Sequence, residues 1–147
     1  MMQQDIVNAA RSFIGVKFHH QGRSAVTGVD CLGLLVLVAE VCQLKFEGGT
    51  ANEHDETDYG HNPDTTRLKG ALDRLLSPVP IEQMQAGDVI LCTLDHRPQH
   101  LAILADYAAA EGELAMIHAY APLRKVVEHR LDNTWRGRIA GVYRFVE

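Results

Sequence analysis

Residues 32–44 read Leu-Gly-Leu-Leu-Val-Leu-Val-Ala-Glu-Val-Cys-Gln-Leu and are apolar on nearly every side of a helical wheel, which restricts the fold more than any other feature of the chain. A helix without a polar face must run through the middle of a domain with other elements around it. Asp30 stands just before it as a favourable N-cap. The most apolar part, residues 32–41, contains Glu40 and falls well short of the about 20 apolar residues that a membrane span requires.

What could surround such a helix? The chain has 147 residues, 46% of them hydrophobic and 22% charged, which suits one globular domain over residues 1–147. A chain of this length buries about two thirds of the surface exposed by its unfolded form, enough to fold without a disulfide framework or structural metal. Nineteen acidic side chains against 14 Lys and Arg leave a net charge of -5, the wrong sign for neutralising phosphates, so nucleic acid is disfavoured as a partner. Residues 1–5, Met-Met-Gln-Gln-Asp, carry neither a basic n-region nor an apolar h-region, so we expect synthesis in the cytoplasm without a signal for general export.

The periodicity predicts helices first and strands later. Ile6, Val7, Ala10, Phe13 and Ile14 recur at helical spacing and Gly15 is a natural stop, giving an amphipathic opening helix. A glycine-punctuated loop over 15–28 leads to the apolar helix. Residues 48–64 are too polar for a core and read as a surface loop. Leu68, Leu72, Leu75 and Leu76 predict another amphipathic helix, ended by Ser77-Pro78-Val79-Pro80. Short β-type runs then follow over 88–93, 101–105, 114–120, 125–129 and 139–146, with a helical turn around Trp135 between the last two. This order predicts an α+β fold, with N-terminal helices packed on a C-terminal antiparallel sheet.

Three cysteines at long spacings, with no C-x-x-C, signal neither a disulfide scaffold nor a cysteine zinc site. Cys42 and Cys92 read as small space-filling hydrophobes. Cys31 is different. At the start of the apolar helix it sits among unpaired N–H groups at the positive end of the macrodipole, and both favour the thiolate.

A cysteine nucleophile needs a base, and eight histidines are present: His19, His20, His54, His61, His96, His100, His118 and His129. On a strand through residues 100–105, His100, Ala102 and Leu104 share a face; on one through 114–120, Leu114, Met116, His118 and Tyr120 share one. A hairpin turning near Ala109 pairs residues whose numbers sum to 218, which sets His100 opposite His118. A slip of two residues makes the pair diagonal. Direct partners lie about 5 Å apart at Cβ, close enough for one imidazole to orient the other. Ala102 is small, as required if a helix end is to approach that face. Metal binding competes for histidines, but there is no H-E-x-x-H, and His54 and His61 lie in the acidic polar loop.

Four segments, Gly28-Val29-Asp30-Cys31-Leu32-Gly33-Leu34-Leu35, Gly87-Asp88-Val89-Ile90, His100-Leu101-Ala102-Ile103-Leu104 and Ile117-His118-Ala119, in this order and spacing, resemble the NlpC/P60 cysteine peptidases over nearly the whole length. These are papain-like enzymes that cut cell-wall peptides. The start Asp-Cys-Leu-Gly-Leu, the segment Val-Val-Glu-His-Arg-Leu at 126–131, and Tyr-Arg-Phe at 143–145 resemble the branch encoded with phage tail genes.

The resemblance implies a Cys-His-His mechanism in which Cys31 is the nucleophile, His100 the base and then the acid, and His118 the orienting third member. It implies that Asp30 holds the free amine of the substrate. Phe18 stands where many members have a pocket tyrosine, and Leu32 where a serine is usual; a leucine cannot accept the hydrogen bond from the amine. The implied reaction is hydrolysis of the γ-D-glutamyl bond to diaminopimelate or an equivalent diamino acid in peptidoglycan stem peptides, with no cofactor and no metal. Implied partners are the stem peptide and phage tail proteins, and the implied location is a virion or the cell wall. Two other readings stay open: a tail module that holds peptidoglycan with little turnover, and a papain-like amidase or acyltransferase acting on another substrate.

Overall fold

The computed structural model describes residues 2–46, 49–50, 72–73 and 76–146. Helix α1 (Met2–Ser12) buries Ile6, Val7, Ala9 and Ala10 on one side. It begins four residues before the apolar periodicity does, because the first turn, Met2 to Asp5, needs no buried face. Two short strands, β1 (Arg23–Ser24) and β2 (Gly28–Val29), pair within the glycine-rich loop and bring the chain to α2 (Cys31–Val41).

Helix α2 is the apolar helix, with Leu34, Leu35, Val36, Val38 and Ala39 all buried. The Asp30 carboxylate caps it by accepting from the Gly33 N–H at 2.8 Å. Its other end comes earlier than the apolar run suggested. Gln43 takes a left-handed conformation, φ 55°, and the Leu44 and Gln43 N–H groups return to the carbonyls of Ala39 and Glu40 at 2.9 and 3.1 Å. Cys42 therefore sits half-buried at the C-cap and not inside the helix. Strands β3 (Lys45–Phe46) and β4 (Gly49–Thr50) pair next.

The expected 48–64 loop, apart from β4, lies outside the described residues. So do Leu68 and Leu75 of the expected second amphipathic helix; its Leu72 and Leu76 are buried, with 72–73 helical. The segment read as that helix's terminator is instead strand β5 (Ser77–Val79). It lies at the sheet edge, where Pro78 costs no ladder hydrogen bond.

The main sheet is antiparallel in the order β5-β10-β6-β7-β8-β9, with β6 (Val89–Leu94), β7 (Arg97–Asp106), β8 (Leu114–Tyr120), β9 (Lys125–Arg130) and β10 (Ile139–Arg144). This is the expected α+β architecture. Alternation gives the sheet two apolar faces. Val89, Leu91, Leu101, Ile103, Ala105, Ala115 and Ile117 pack with α1 and α2. Ile90, Cys92, Ala102, Leu104, Met116 and Val142 form a second cluster with Leu131 and Trp135, the latter from the short helix α3 (Asn133–Arg136).

Candidate active site

The segment before α2 is clamped onto it. A Cβ on Gly33 would run into the carbonyl of Gly22, so the loop lies directly on the first turn of the helix. Asp30, 4% exposed, holds the two together: beyond capping α2 it accepts from the Gln21 N–H at 2.9 Å and from the Arg23 guanidinium at 3.0 Å. Phe18 is half-buried beside it, bridged to Val29 of β2, with its N–H given to the Arg124 carbonyl at 2.9 Å. Leu32 is half-buried against the helix-side core.

Cys31 opens α2 and is half-buried. The Leu101 N–H is one of the groups that favour its thiolate, and the strand geometry explains why that N–H is available. Leu104 exchanges hydrogen bonds with β6 and the turn before it, through the Asp88 carbonyl and the Gly87 N–H, so the N–H groups of odd-numbered β7 residues face β8. The β7–β8 ladder runs from Asp106↔Leu114 to Ile103↔Ile117 and the paired positions end there. Leu101 thus lies beyond the last paired position of the β7–β8 ladder, and its N–H is among the groups that lower the Cys31 thiol.

Burial pushes the Cys31 thiol up to about 12, and the Asp30 carboxylate adds to this; the Leu101 and Leu32 N–H groups and the Arg23 guanidinium oppose it. The sequence pointed to the helix terminus as one influence favouring the thiolate. Desolvation outweighs it.

His100 and His118 are 6% and 0% exposed. The β7–β8 register sums to 220, not 218, so the two are diagonal neighbours, and His100 Nε2 meets His118 Nδ1 at 2.6 Å. Burial lowers His100 to about 4, helped by the charge of Arg138. His118 falls to about 2, again through burial first and then through His100 and His129. Thiol and imidazoles are therefore all neutral at rest.

The sequence missed three residues here. His129 on β9 bonds His118, Nε2 to Nε2, at 2.8 Å. The hairpin arithmetic used for His100 would have found it: β8 and β9 pair on a sum of 245, so His118 faces Val127 and His129 is the next residue on that side. Trp135, 8% exposed, lies over all three imidazoles, with ring centroids 5.9 Å from His100, 5.2 Å from His118 and 5.9 Å from His129. Arg138 covers the indole in turn, its guanidinium 4.7 Å from the ring centre. No linear signal links a tryptophan near the C-terminus to a histidine cluster.

A half-buried thiol on a helix terminus, its thiolate favoured by the N–H of the residue after His100, and an imidazole held by a second imidazole are the groups that a nucleophile, base and orienter require. The NlpC/P60 family model matches residues 15–144, which include all of these groups. The chain belongs to the NlpC/P60 family.

Solved structures, among them an NlpC/P60 family protein, share the fold. An NlpC/P60 family protein from Bacillus cereus ATCC 10987 superposes with a TM-score of 0.68 at 22% identity, over 99% of this chain and 40% of that one. The peptidoglycan hydrolase RipB of Mycobacterium tuberculosis gives 0.56 at 19% identity, over 99% and 65%. An N-acetylmuramoyl-L-alanine amidase from Bacteroides uniformis ATCC 8492 gives 0.60 at 13% identity, over 99% of both chains. The chain thus spans about two fifths of the Bacillus cereus protein. No curated protein matches it.

Proposed function

We propose that this NlpC/P60 chain is a cysteine endopeptidase that hydrolyses the γ-D-glutamyl bond to a diamino acid in peptidoglycan stem peptides. The observation that carries the reading is the buried His100–His118 pair, Nε2 to Nδ1 at 2.6 Å, with Cys31 at the first position of α2 and the N–H of Leu101, the residue after His100, favouring its thiolate. Family membership supports the reaction class, and the similar proteins named as a peptidoglycan hydrolase and a muramoyl-alanine amidase support the substrate.

In this reading the Cys31 thiol attacks the amide carbonyl as its proton passes to His100. The tetrahedral oxyanion is stabilised by backbone N–H groups of the first turn of α2, that of Cys31 among them. His100 then gives the proton to the departing amine, the C–N bond breaks, and water releases the acyl group from sulfur with His100 again taking a proton. Asp30, whose carboxylate already takes the Gly33 and Gln21 N–H groups and the Arg23 guanidinium, meets the substrate's free amine in competition with Arg23, and Phe18 and Leu32 supply apolar side chains near the start of α2. The finer reading, a phage tail component carried to the wall by a virion, rests on the motifs at 126–131 and 143–145; gene neighbours test it.

Incubation with a stem tripeptide, followed by assay of amine release, tests the reaction. Turnover that is lost in Cys31→Ala supports it, and turnover that persists in that variant overturns the nucleophile. The high-lying thiol favours one second reading, a module that holds peptidoglycan with little turnover. Stem-peptide binding without release, unchanged in Cys31→Ser, identifies that case.

A further inference from the structure

The three histidines form one hydrogen-bonded line across three adjacent strands, and the line ends on a group that cannot donate. His129 Nδ1 lies 2.9 Å from the Arg130 carbonyl oxygen. A carbonyl only accepts, so His129 Nδ1 carries the proton, and in a neutral ring its Nε2 is then a lone pair. His118 Nε2, 2.8 Å away, must donate to it. That leaves His118 Nδ1 as an acceptor, and His100 Nε2, 2.6 Å away, must donate in turn. The remaining nitrogen, His100 Nδ1, is left as the lone pair.

We infer that His129 is a positioning residue which, anchored on the Arg130 carbonyl, fixes the direction of the whole line and so makes Nδ1 the basic nitrogen of His100. Without that anchor His118 can present either a protonated or an unprotonated Nδ1 to His100, and the tautomer that protonates His100 Nδ1 has nothing with which to accept the thiol proton. The burial of His118 makes the arrangement firm, since both of its nitrogens must find partners within the protein. Trp135 packs across all three rings and limits their rotation. The catalytic importance of this device rests on the proposed role of His100; the tautomers themselves do not.

Long-range proton–nitrogen correlation NMR on the full chain with 15N-labelled histidine reads the tautomers without substrate. We expect Nε2–H with unprotonated Nδ1 at His100, Nε2–H at His118 and Nδ1–H at His129. A protonated Nδ1 on His100 in the unmodified protein overturns the inference, and this measurement stands even where a variant fails to fold. In His129→Leu the His100 signals should become those of a tautomer mixture, and kcat on a stem tripeptide should fall on the order of 100-fold with KM little changed, as expected when a base is held in the wrong tautomer. His129→Gln, whose Oε1 can accept from His118 and whose amide can donate to the Arg130 carbonyl, should recover both. His100 signals unchanged in His129→Leu overturn the inference. The expected tautomers in a protein that releases no amine uphold the line and overturn the proposed reaction.

Discussion

His100 and His118 meet on the diagonal between β7 and β8, Nε2 to Nδ1 at 2.6 Å, just past the last paired position of the ladder. No main-chain pairing holds the strands together at that level, so the imidazole contact itself bridges the gap.

Replacing His118 should therefore cost both activity and stability. In His118→Leu the buried Nε2–H of His100 loses its acceptor, which costs about 1–3 kcal/mol of stability. Turnover of a stem peptide should fall on the order of 100-fold. His118→Gln, which offers an oxygen in the same direction, should lose less of each. Urea denaturation and steady-state kinetics check the pair, and equal losses in the two variants would remove the orienting role.

Arg138 is the remote charge that helps lower His100. In the proposed reaction His100 acts unprotonated, so kcat/KM should rise as pH increases through its value of about 4 and then level off. Arg138→Met keeps an apolar cover over Trp135 and removes the charge, which lets His100 move up toward its ordinary 6.5. The acidic limb of the profile should shift to higher pH. A limb that does not move would exclude Arg138 from setting it.

Cys31 should behave as a reluctant thiolate in the absence of substrate. With the thiol near 12, inactivation by iodoacetamide should be slow at neutral pH and should keep climbing with pH well past the ordinary thiol value of 9.0. The check is peptide mapping of the alkylated protein across a pH series. An inflection below 9.0 at Cys31 would show that the helix terminus outweighs burial after all.

Much of this was legible in the sequence. The all-round apolar run and Asp30 specify a capped, buried helix because both signals are local. The five strands after residue 88 alternate or run continuously apolar, and each was found to within a few residues. The reach of the hairpin was missed by one residue in its turn, which moves a cross-strand sum by two and turns a facing pair into a diagonal one. Desolvation of Cys31 could not be read locally, since it depends on how the start of α2 packs against the core. For the same reason Trp135 was visible as a helical turn but not as a roof over three imidazoles. Gly87-Asp88 was noticed as a motif, and its reason is structural: buried Asp88 takes the Arg144 guanidinium at 2.7 and 3.0 Å and the Gln85 N–H at 2.9 Å, tying the start of β6 to the end of β10.

That tie gives a stability prediction away from the chemistry. Asp88→Asn removes the charge from a two-pronged pair and should destabilise the fold by about 1.5–3 kcal/mol, seen as a lower urea midpoint. Because Asp88 lies on the turn into β6, far along the strand from Cys92, kcat of the folded protein should hold. A midpoint within error of the parent would mean that solvent replaces the pair at no cost.

Acid should weaken the protein through its histidines. An unfolded chain takes up protons on His100 and His118 as pH falls through 6.5, whereas the folded chain refuses them until about 4 and about 2. Their contribution is thus fully present above 6.5 and is lost progressively below it, at about 1.4 kcal/mol per pH unit for each ring. Denaturation midpoints measured from neutrality down toward pH 4 should fall more steeply for the parent than for His118→Gln. Parallel lines would contradict the assignment.

The histidine line stops at an uncharged oxygen and not at a carboxylate. In the proposed reaction an imidazolium formed at His100 would find dipoles and an indole face for company, with Arg138 repelling it. It is a strong, short-lived acid, and a poorly basic leaving nitrogen, such as that of a scissile amide, is the kind of group to which it can surrender its proton readily.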